Sequence, residues 1–388
     1  MTDEKKPLVL CVDDEPQILQ GMQLNVRRKF RLLTATSGLE GLKIIEESET
    51  PAVVISDMRM PGMSGAEFLT QVRQLSPDSV RMLLTGYSDI EDTIAVVNDG
   101  QIFRFLTKPC GPLDLIHAIR DAVSQYELQF ARKILLEQTL LGSVRAMMDM
   151  LSITNPVVFG QATRIRRLCQ SIARKSSIDD LWKLEVASLM ARMGWVTLTA
   201  ELAEKLSLGG GLSGSESESV GRANALSEQL VRRIPQLDDV AEIIKGAEIA
   251  WSDLSREDLS GDSSRTAGKA QILRVVTAYD GLSAGGASVN EALKKMRDAQ
   301  GQYDPDVLAL ASEVLETYRE QADATTEASL EELQVGMRLE EDIVLTNGVL
   351  LAVQGYEITE GFMERLANFR DALEKARFKV HITKPVEA

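Results

Sequence analysis

Short apolar runs alternate with amphipathic stretches through the first 112 residues. Leu8–Val12, Arg31–Ala35, Val53–Ser56, Val80–Leu84 and Ile102–Leu106 have strand length and are rich in β-branched or large apolar residues. Between them, residues 16–28, 38–47, 65–75 and 89–98 carry apolar residues at helical spacing. Five strands alternating with helices predict a parallel sheet covered on both faces. In such sheets ligands gather beyond the carboxyl ends of the strands, so the chain's chemistry is expected there.

The pattern then changes period. Residues 113–141 contain neither Gly nor Pro and as one helix would extend about 43 Å. Ile116, Val123, Phe130, Val144 and Leu151 follow a seven-residue spacing, with Ile119, Tyr126, Leu140 and Met147 on the alternate seam position. Lys133 and Glu137 interrupt it. The spacing fits a two-stranded coiled coil and hence a homodimer; a long helix packed on its own domain is the plainer alternative. Residues 160–174, 179–193, 216–233, 237–250, 266–282, 288–299 and 304–321 read as helices, and Gly209–Ser219 as a Gly/Ser-rich loop. Near the end, Asp342–Leu345 and Val349–Val353 flank Asn347-Gly348, a strong hairpin signal. A helix over 359–375 and a third strand at Phe378–Thr383 follow. The expected organisation is multidomain, α/β then all-α: residues 1–125, a linker helix 126–152, a helical domain 153–325 and a small α+β accessory unit 326–388.

Composition narrows the class. Hydrophobic residues make up 44% and charged residues 26%, which excludes wholesale disorder. The net charge of −15 argues against DNA or an anionic membrane as partner. No apolar run reaches the roughly 20 residues of a membrane span, so no membrane insertion is expected. Met1–Pro7 lacks the apolar stretch of a signal peptide. Cys11, Cys110 and Cys169 are widely spaced, as befits reduced thiols in a cytoplasm. The whole chain holds two histidines, His117 and His381.

Four strand ends carry chemistry. The first strand runs into Asp13-Asp14-Glu15, the third ends at Asp57, the fourth at Thr85, and the fifth leads to Thr107-Lys108-Pro109. A lone Asp at a strand end is usually a cap or turn former. Clustered carboxylates on a rigid edge instead suit Mg²⁺, and one beside the metal can attack a phosphoryl group. A lysine and a hydroxyl would neutralise and orient the product oxygens.

The segments Val9-Leu-Cys-Val-Asp-Asp-Glu15, Ile55-Ser-Asp-Met-Arg-Met-Pro-Gly-Met-Ser-Gly65, Leu84-Thr-Gly86 and Phe105-Leu-Thr-Lys-Pro109 resemble the receiver domain of two-component response regulators. The resemblance covers about the first 125 residues and implies a flavodoxin-like, five-stranded parallel fold. It implies that Asp57 accepts a phosphoryl group from a sensor histidine kinase. Asp14, Asp57 and the main-chain carbonyl of Arg59 would hold Mg²⁺, with Asp13 helping through water. Lys108 would pair with the phosphoryl group across a cis Lys108–Pro109 bond. Thr85 would move toward the phosphate and let Phe105 turn inward, although Phe105 also reads as a plain core residue.

The helical region resembles a second family. Ala270-Gln-Ile-Leu-Arg-Val-Val-Thr-Ala-Tyr-Asp-Gly-Leu282, Asn290-Glu-Ala-Leu293 and Tyr303-Asp-Pro305 look like the late part of HD-GYP domains, which are cyclic di-GMP phosphodiesterases. Phe159–Ile172 and Leu184–Leu198 look like that family's first two helices. Its chemistry needs metal ions held by histidines and aspartates. Here the first His position falls on Gln161, the His-Asp pair on Ala191 and Arg192, and the following lysine on Trp195. Later metal positions fall on Ala223, Gly246, Ala247 and Thr277, and no histidine lies between His117 and His381. Loss of metal-dependent hydrolysis is expected, with no metal in this domain. The reading is a response regulator whose non-catalytic output contacts an unidentified downstream protein. The alternatives are a sensor that binds cyclic di-GMP uncleaved, with Arg164, Arg166, Arg167, Lys175 and Arg192 as phosphate contacts, and an active phosphodiesterase.

Overall fold

The computed structural model describes the chain apart from residues 1–5, 48, 87–101, 177, 208–209, 256–257, 259–260, 323–325, 330–331, 340–342, 345–349, 353–355, 357, 368–378 and 384–388. It divides into two compact units, Met1–Gln138 and Thr139–Ala388. Among the described residues no helix is long and apolar enough to cross a membrane.

In the first unit β1 (Leu8–Val12), β2 (Arg31–Ala35), β3 (Val53–Asp57), β4 (Val80–Thr85) and β5 (Arg104–Thr107) form a parallel sheet of order β2-β1-β3-β4-β5. Each strand sends alternate side chains to opposite faces. Val9, Cys11 and Ile55 meet Leu19 and Met22 of α1 (Pro16–Val26) on one face. Leu10, Val12 and Val54 meet Leu42 of α2 (Gly38–Glu47) and Phe68 and Val72 of α3 (Gly65–Leu75) on the other. β3 and β4 each run one residue beyond the expected end, because Asp57 and Thr85 are still paired in the ladder, to Leu84 and Thr107. The helix expected over 89–98 lies outside the described residues.

α4 (Pro112–Thr154) is one helix of 43 residues. Its seven-residue pattern is not a single seam. Ile119 and Val123 belong to the first unit's core, while Val144 and Leu151 belong to the second unit's. Only Phe130 and Met147 of the expected seam stand open, 47% and 44% exposed. Two intramolecular cores, one at each end, imprint the heptad spacing.

The second unit continues with α5 (Pro156–Lys175), α6 (Leu181–Met190), a 3₁₀ turn (Met193–Thr197), α7 (Ala200–Ser207), α8 (Gly214–Arg232), α9 (Asp238–Gly246), α10 (Gly261–Ala284), α11 (Val289–Asp298) and α12 (Pro305–Ala322). The loop expected at Gly209–Ser219 is shorter, because α8 already starts at Gly214. Ser213 and Glu216 form a reciprocal capping box, which starts a helix in spite of the poor propensities around it. Beyond α12, β6 (Thr326–Ser329), β7 (Arg338–Leu339) and β10 (Lys379–Thr383) make an antiparallel sheet of order β6-β10-β7. The hairpin β8 (Ile343–Val344) and β9 (Leu350–Ala352) stands apart from it, and the strand expected at Phe378–Thr383 is present as β10, paired with β6 and β7. Asn347-Gly348 lies outside the described residues. Before α13 (Glu360–Ala367), Tyr356 is sandwiched between Phe159 and Phe362, each at 4.7 Å between ring centres.

Candidate functional site

The carboxyl edge of the parallel sheet gathers the predicted residues of the first unit. Asp13, Asp14 and Asp57 place ligand oxygens all within 4.8 Å of one another. Asp13 and Asp57 are buried and Asp14 is exposed. Lys108 Nζ lies 2.8 Å from Asp13 Oδ2 and 2.6 Å from Asp57 Oδ1. The main chain completes the frame, with the Glu15 amide donating to Asp13 Oδ1 at 2.9 Å and the Arg59 amide to Asp57 Oδ2 at 3.2 Å. Gly65 lets α3 start against β3, since a Cβ there would collide with the Asp57 carbonyl oxygen. The Lys108–Pro109 bond is cis. Thr85 is buried and donates to the Gly86 carbonyl at 3.2 Å, and half-buried Phe105 packs at the edge of the α2–α3 core.

Electrostatics follow from this crowding. Burial pushes the Asp57 carboxyl above its ordinary range, with the Asp13 charge adding to the rise; the Lys108 hydrogen bond and charge oppose it without prevailing. Burial also disfavours the Lys108 ammonium, but its bonds to Asp13 and Asp57 outweigh that and hold its pKa high. An all-oxygen set of three carboxylates, with a fixed cation between two of them, suits a hard divalent cation such as Mg²⁺.

A second site lies in the helical unit. Gln161, Ala191, Arg192, Trp195, Ala247 and Thr277 line a cleft of about 400 Å³, together with Asn224, Glu248, Arg274, Asp280 and Tyr303. The Arg192 guanidinium lies 4.2 Å from the centre of the Trp195 ring and donates to Asn224 Oδ1 at 3.0 Å. Trp195 Nε1 donates to the same oxygen at 2.7 Å, and Asn224 Nδ2 donates to Glu248 at 3.1 Å. Burial pulls the Arg192 pKa down, partly offset by the charges of Glu248 and Asp280. The Oε1 of buried Gln161 has no hydrogen-bond partner among the described residues.

Comparison with known proteins assigns both units. The model of the response regulator receiver domain matches residues 9–120, and that of the HD domain matches residues 145–307. The chain is a response regulator receiver domain followed by an HD domain. The hydrogenase transcriptional regulatory protein HoxA of Bradyrhizobium diazoefficiens is 38% identical over 121 residues, 31% of this chain and 25% of that protein. The transcriptional regulatory protein GlrR of Escherichia coli is 35% identical over 118 residues, 30% of this chain and 26% of that protein. The chain thus spans about a quarter of the length of these curated relatives. A solved signal receiver domain of an HD domain-containing protein from Pseudomonas fluorescens Pf-5 is 30% identical, covers 34% of this chain and 97% of its own, and has a TM-score of 0.32.

A receiver domain is a phosphoacceptor with a histidine kinase as partner, and binds Mg²⁺ through acidic residues such as this cluster. HD domains are usually hydrolases. In this HD domain Ala223 and Gly246 are not among the cleft-lining residues. A Cβ on Gly194 would collide with the Ala223 carbonyl, and one on Gly246 would come within 2.9 Å of Ala270, so both are helix-packing positions. Their neighbours Asn224, Ala247 and Glu248 line the cleft instead. Sequence reasoning missed Asn224, Glu248 and Asp280, which form no motif with Arg192 along the chain. Of the basic residues expected as phosphate contacts, Arg192 lines the cleft and Arg164 is held by a cleft-lining carboxylate. Arg164 holds Asp280 through two nitrogens, Arg166 reaches Glu185 and Lys175 reaches Glu313.

Proposed function

We propose that Asp57 is the phosphoacceptor of this response regulator, and that its HD domain has given up metal-dependent hydrolysis to act by contact with another protein. The amine of Lys108 bridging Asp13 and Asp57 carries the first half of the reading. An Asp57 oxygen attacks the phosphorus as the bond to the kinase histidine breaks, and Lys108 then turns its charge to the transferred oxygens. Mg²⁺ held by Asp14, Asp57 and the Arg59 carbonyl, with Asp13 through water, would neutralise charge on the phosphoryl oxygens. Thr85 then reaches the phosphoryl group and Phe105 turns inward. α4, which runs from the receiver into the HD domain, is the covalent route for the change.

The guanidinium of Arg192 stacked on Trp195 supports the second half, because it puts a fixed positive charge into the cleft where the HD pattern calls for a metal ligand. The net charge of −15 favours a protein over DNA as the output's target. Two assays test the proposal. With Mg²⁺ and a small phosphoryl donor, the chain should gain one acid-labile, base-labile phosphoryl group that Asp57→Ala does not take up. Cyclic di-GMP with Mn²⁺ or Fe²⁺ should remain intact at high protein concentration; turnover would refute the loss of hydrolysis. A second reading, cyclic di-GMP held uncleaved, is favoured by the opening of Arg192 into the cleft. It requires saturable binding that weakens in Arg192→Ala.

A further inference from the structure

The cleft of the HD domain holds polar groups that the protein leaves unsatisfied. Gln161 is only 5% exposed, and its Oε1 finds no hydrogen-bond partner among the described residues. An unpaired buried amide is costly, so it marks a place that a ligand can complete. Arg192 spends Nη1 on Asn224 and one face on Trp195, while its Nε and Nη2 form no hydrogen bond among the described residues. The other charges of the cleft are more fully engaged. All three nitrogens of the Arg274 guanidinium donate, to Gln302 and to the Ala247 carbonyl, and Asp280 is held by two nitrogens of Arg164. Glu248 is exposed, with Oε1 accepting from the Asn224 amide. Arg192 and Arg274 against Glu248 and Asp280 leave the lining without net charge, and Leu206, Leu212, Val220, Ile244 and Leu273 give it an apolar wall.

We propose that this cleft binds a free apolar α-amino acid. The carboxylate takes the open edge of Arg192, the ammonium donates to Gln161 on the side of Glu248, and the side chain lies on the apolar wall. A half-turn of the Gln161 terminal amide, which exchanges its oxygen and nitrogen in place, presents the oxygen to the ligand. Charge selects this class. A zwitterion has no net charge, as the cleft has none, and its two opposite charges meet one open cation and one exposed carboxylate. A cyclic dinucleotide would bring two phosphodiester charges to a single open guanidinium, against Glu248 and Asp280, whose charges already act on Arg192. A plain hydrocarbon would leave Arg192 and Gln161 unsatisfied. The volume of about 400 Å³ lies at the small end for ligand pockets and is ample for an amino acid. The site rests on the proposed absence of metal from this cleft, and it gives the HD domain an input besides phosphorylation of Asp57.

Titration calorimetry of the full chain in chelator, with L-leucine, L-methionine and L-phenylalanine as probes, tests the site. Saturable binding of at least one of them is expected, at one site per chain. Removing the amino group or the carboxylate from the probe, as isocaproate and isoamylamine do for L-leucine, should weaken binding by about 10-fold or more. These analogues test the unmutated chain, so the result does not depend on a variant folding. Arg192→Met keeps a flexible side chain against Trp195 but removes its charge, and should weaken the amino acid by about 10-fold or more. Gln161→Leu should weaken the amino acid but leave isocaproate, which has no ammonium, as it was. Unchanged circular dichroism in both variants is expected to accompany the losses. No saturable binding of any probe at millimolar concentration, isocaproate binding as tightly as L-leucine, or affinity indifferent to Arg192→Met would overturn the proposal. Saturable binding of cyclic di-GMP in place of the amino acids would overturn it in favour of the second reading. Failure here is distinct from failure of the loss of hydrolysis, which is read by turnover of cyclic di-GMP with Mn²⁺ or Fe²⁺.

Discussion

At the scale of single residues, Lys108 decides how the receiver tolerates its own site. Two buried carboxylates share one ammonium, and each would otherwise face an uncompensated like charge. Removing one partner of a buried charge set costs more than the set is worth. Lys108 is itself partly exposed, which discounts the penalty to about 1–3 kcal/mol. Lys108→Ala should therefore lower the unfolding free energy from urea titration by that amount in chelator, and Mg²⁺ should recover part of it by supplying the missing positive charge. A variant as stable as the wild type in chelator would contradict this account. Arg192 follows the same logic with other means. Its charge is satisfied by an aromatic face and one amide oxygen, and Asn224 links that pair to Glu248.

At the scale of elements, the start of α8 shows how local chemistry overrides composition. A stretch of Gly, Ser and Glu reads as a loop, yet Glu216 closes a capping box on Ser213 and accepts from Lys205 of α7 at 2.8 Å. The Lys205 hydrogen bond comes first among the influences that hold the Glu216 carboxyl down at about 2, below its ordinary 4.5, followed by the bonds from Ser213. The folded pKa is the lower one, so the stabilisation is fully present above about 4.5 and is lost as pH falls toward 2. A carboxyl ¹³C titration of Glu216 should thus show a midpoint well below that of an ordinary glutamate, and Lys205→Ala should move it upward. An ordinary midpoint in the wild type would remove the Lys205 link. The first turn of α8 should fray over the same pH interval, seen as faster amide exchange at Glu216.

At the scale of the whole molecule, the chain divides into two compact units between residues 138 and 139, each with its own hydrophobic core residues. Separate cores unfold as separate cooperative units unless the link between them is strong. Leu83 is fully buried in the first unit and Ile165 in the second. Each truncated to Ala should cost about 2–5 kcal/mol. In scanning calorimetry, Leu83→Ala should depress one transition and Ile165→Ala the other. If each variant moved both transitions together, the chain would be folding as one unit.

The sequence by itself determined the receiver almost completely. Parallel strands buried on both faces are short, continuous apolar runs, and their carboxyl ends fall where the runs stop, so Asp13, Asp57, Thr85 and Lys108 are assigned to one edge before any coordinates are known. It also determined the HD domain's helices and the shortage of histidine. Three features depended on tertiary structure. The heptad on α4 records apolar spacing but not which core absorbs it, and only packing separates buried Val123 from exposed Phe130. Ala223 and Asn224 are adjacent in sequence, yet the Ala223 carbonyl packs against Gly194 while the Asn224 side chain accepts from Arg192 in the cleft. The last strand pairs with β6 and β7 rather than the nearby hairpin. Local spacing fixes which face of an element is apolar; what that face meets depends on contacts between residues far apart in the chain, which no local pattern encodes.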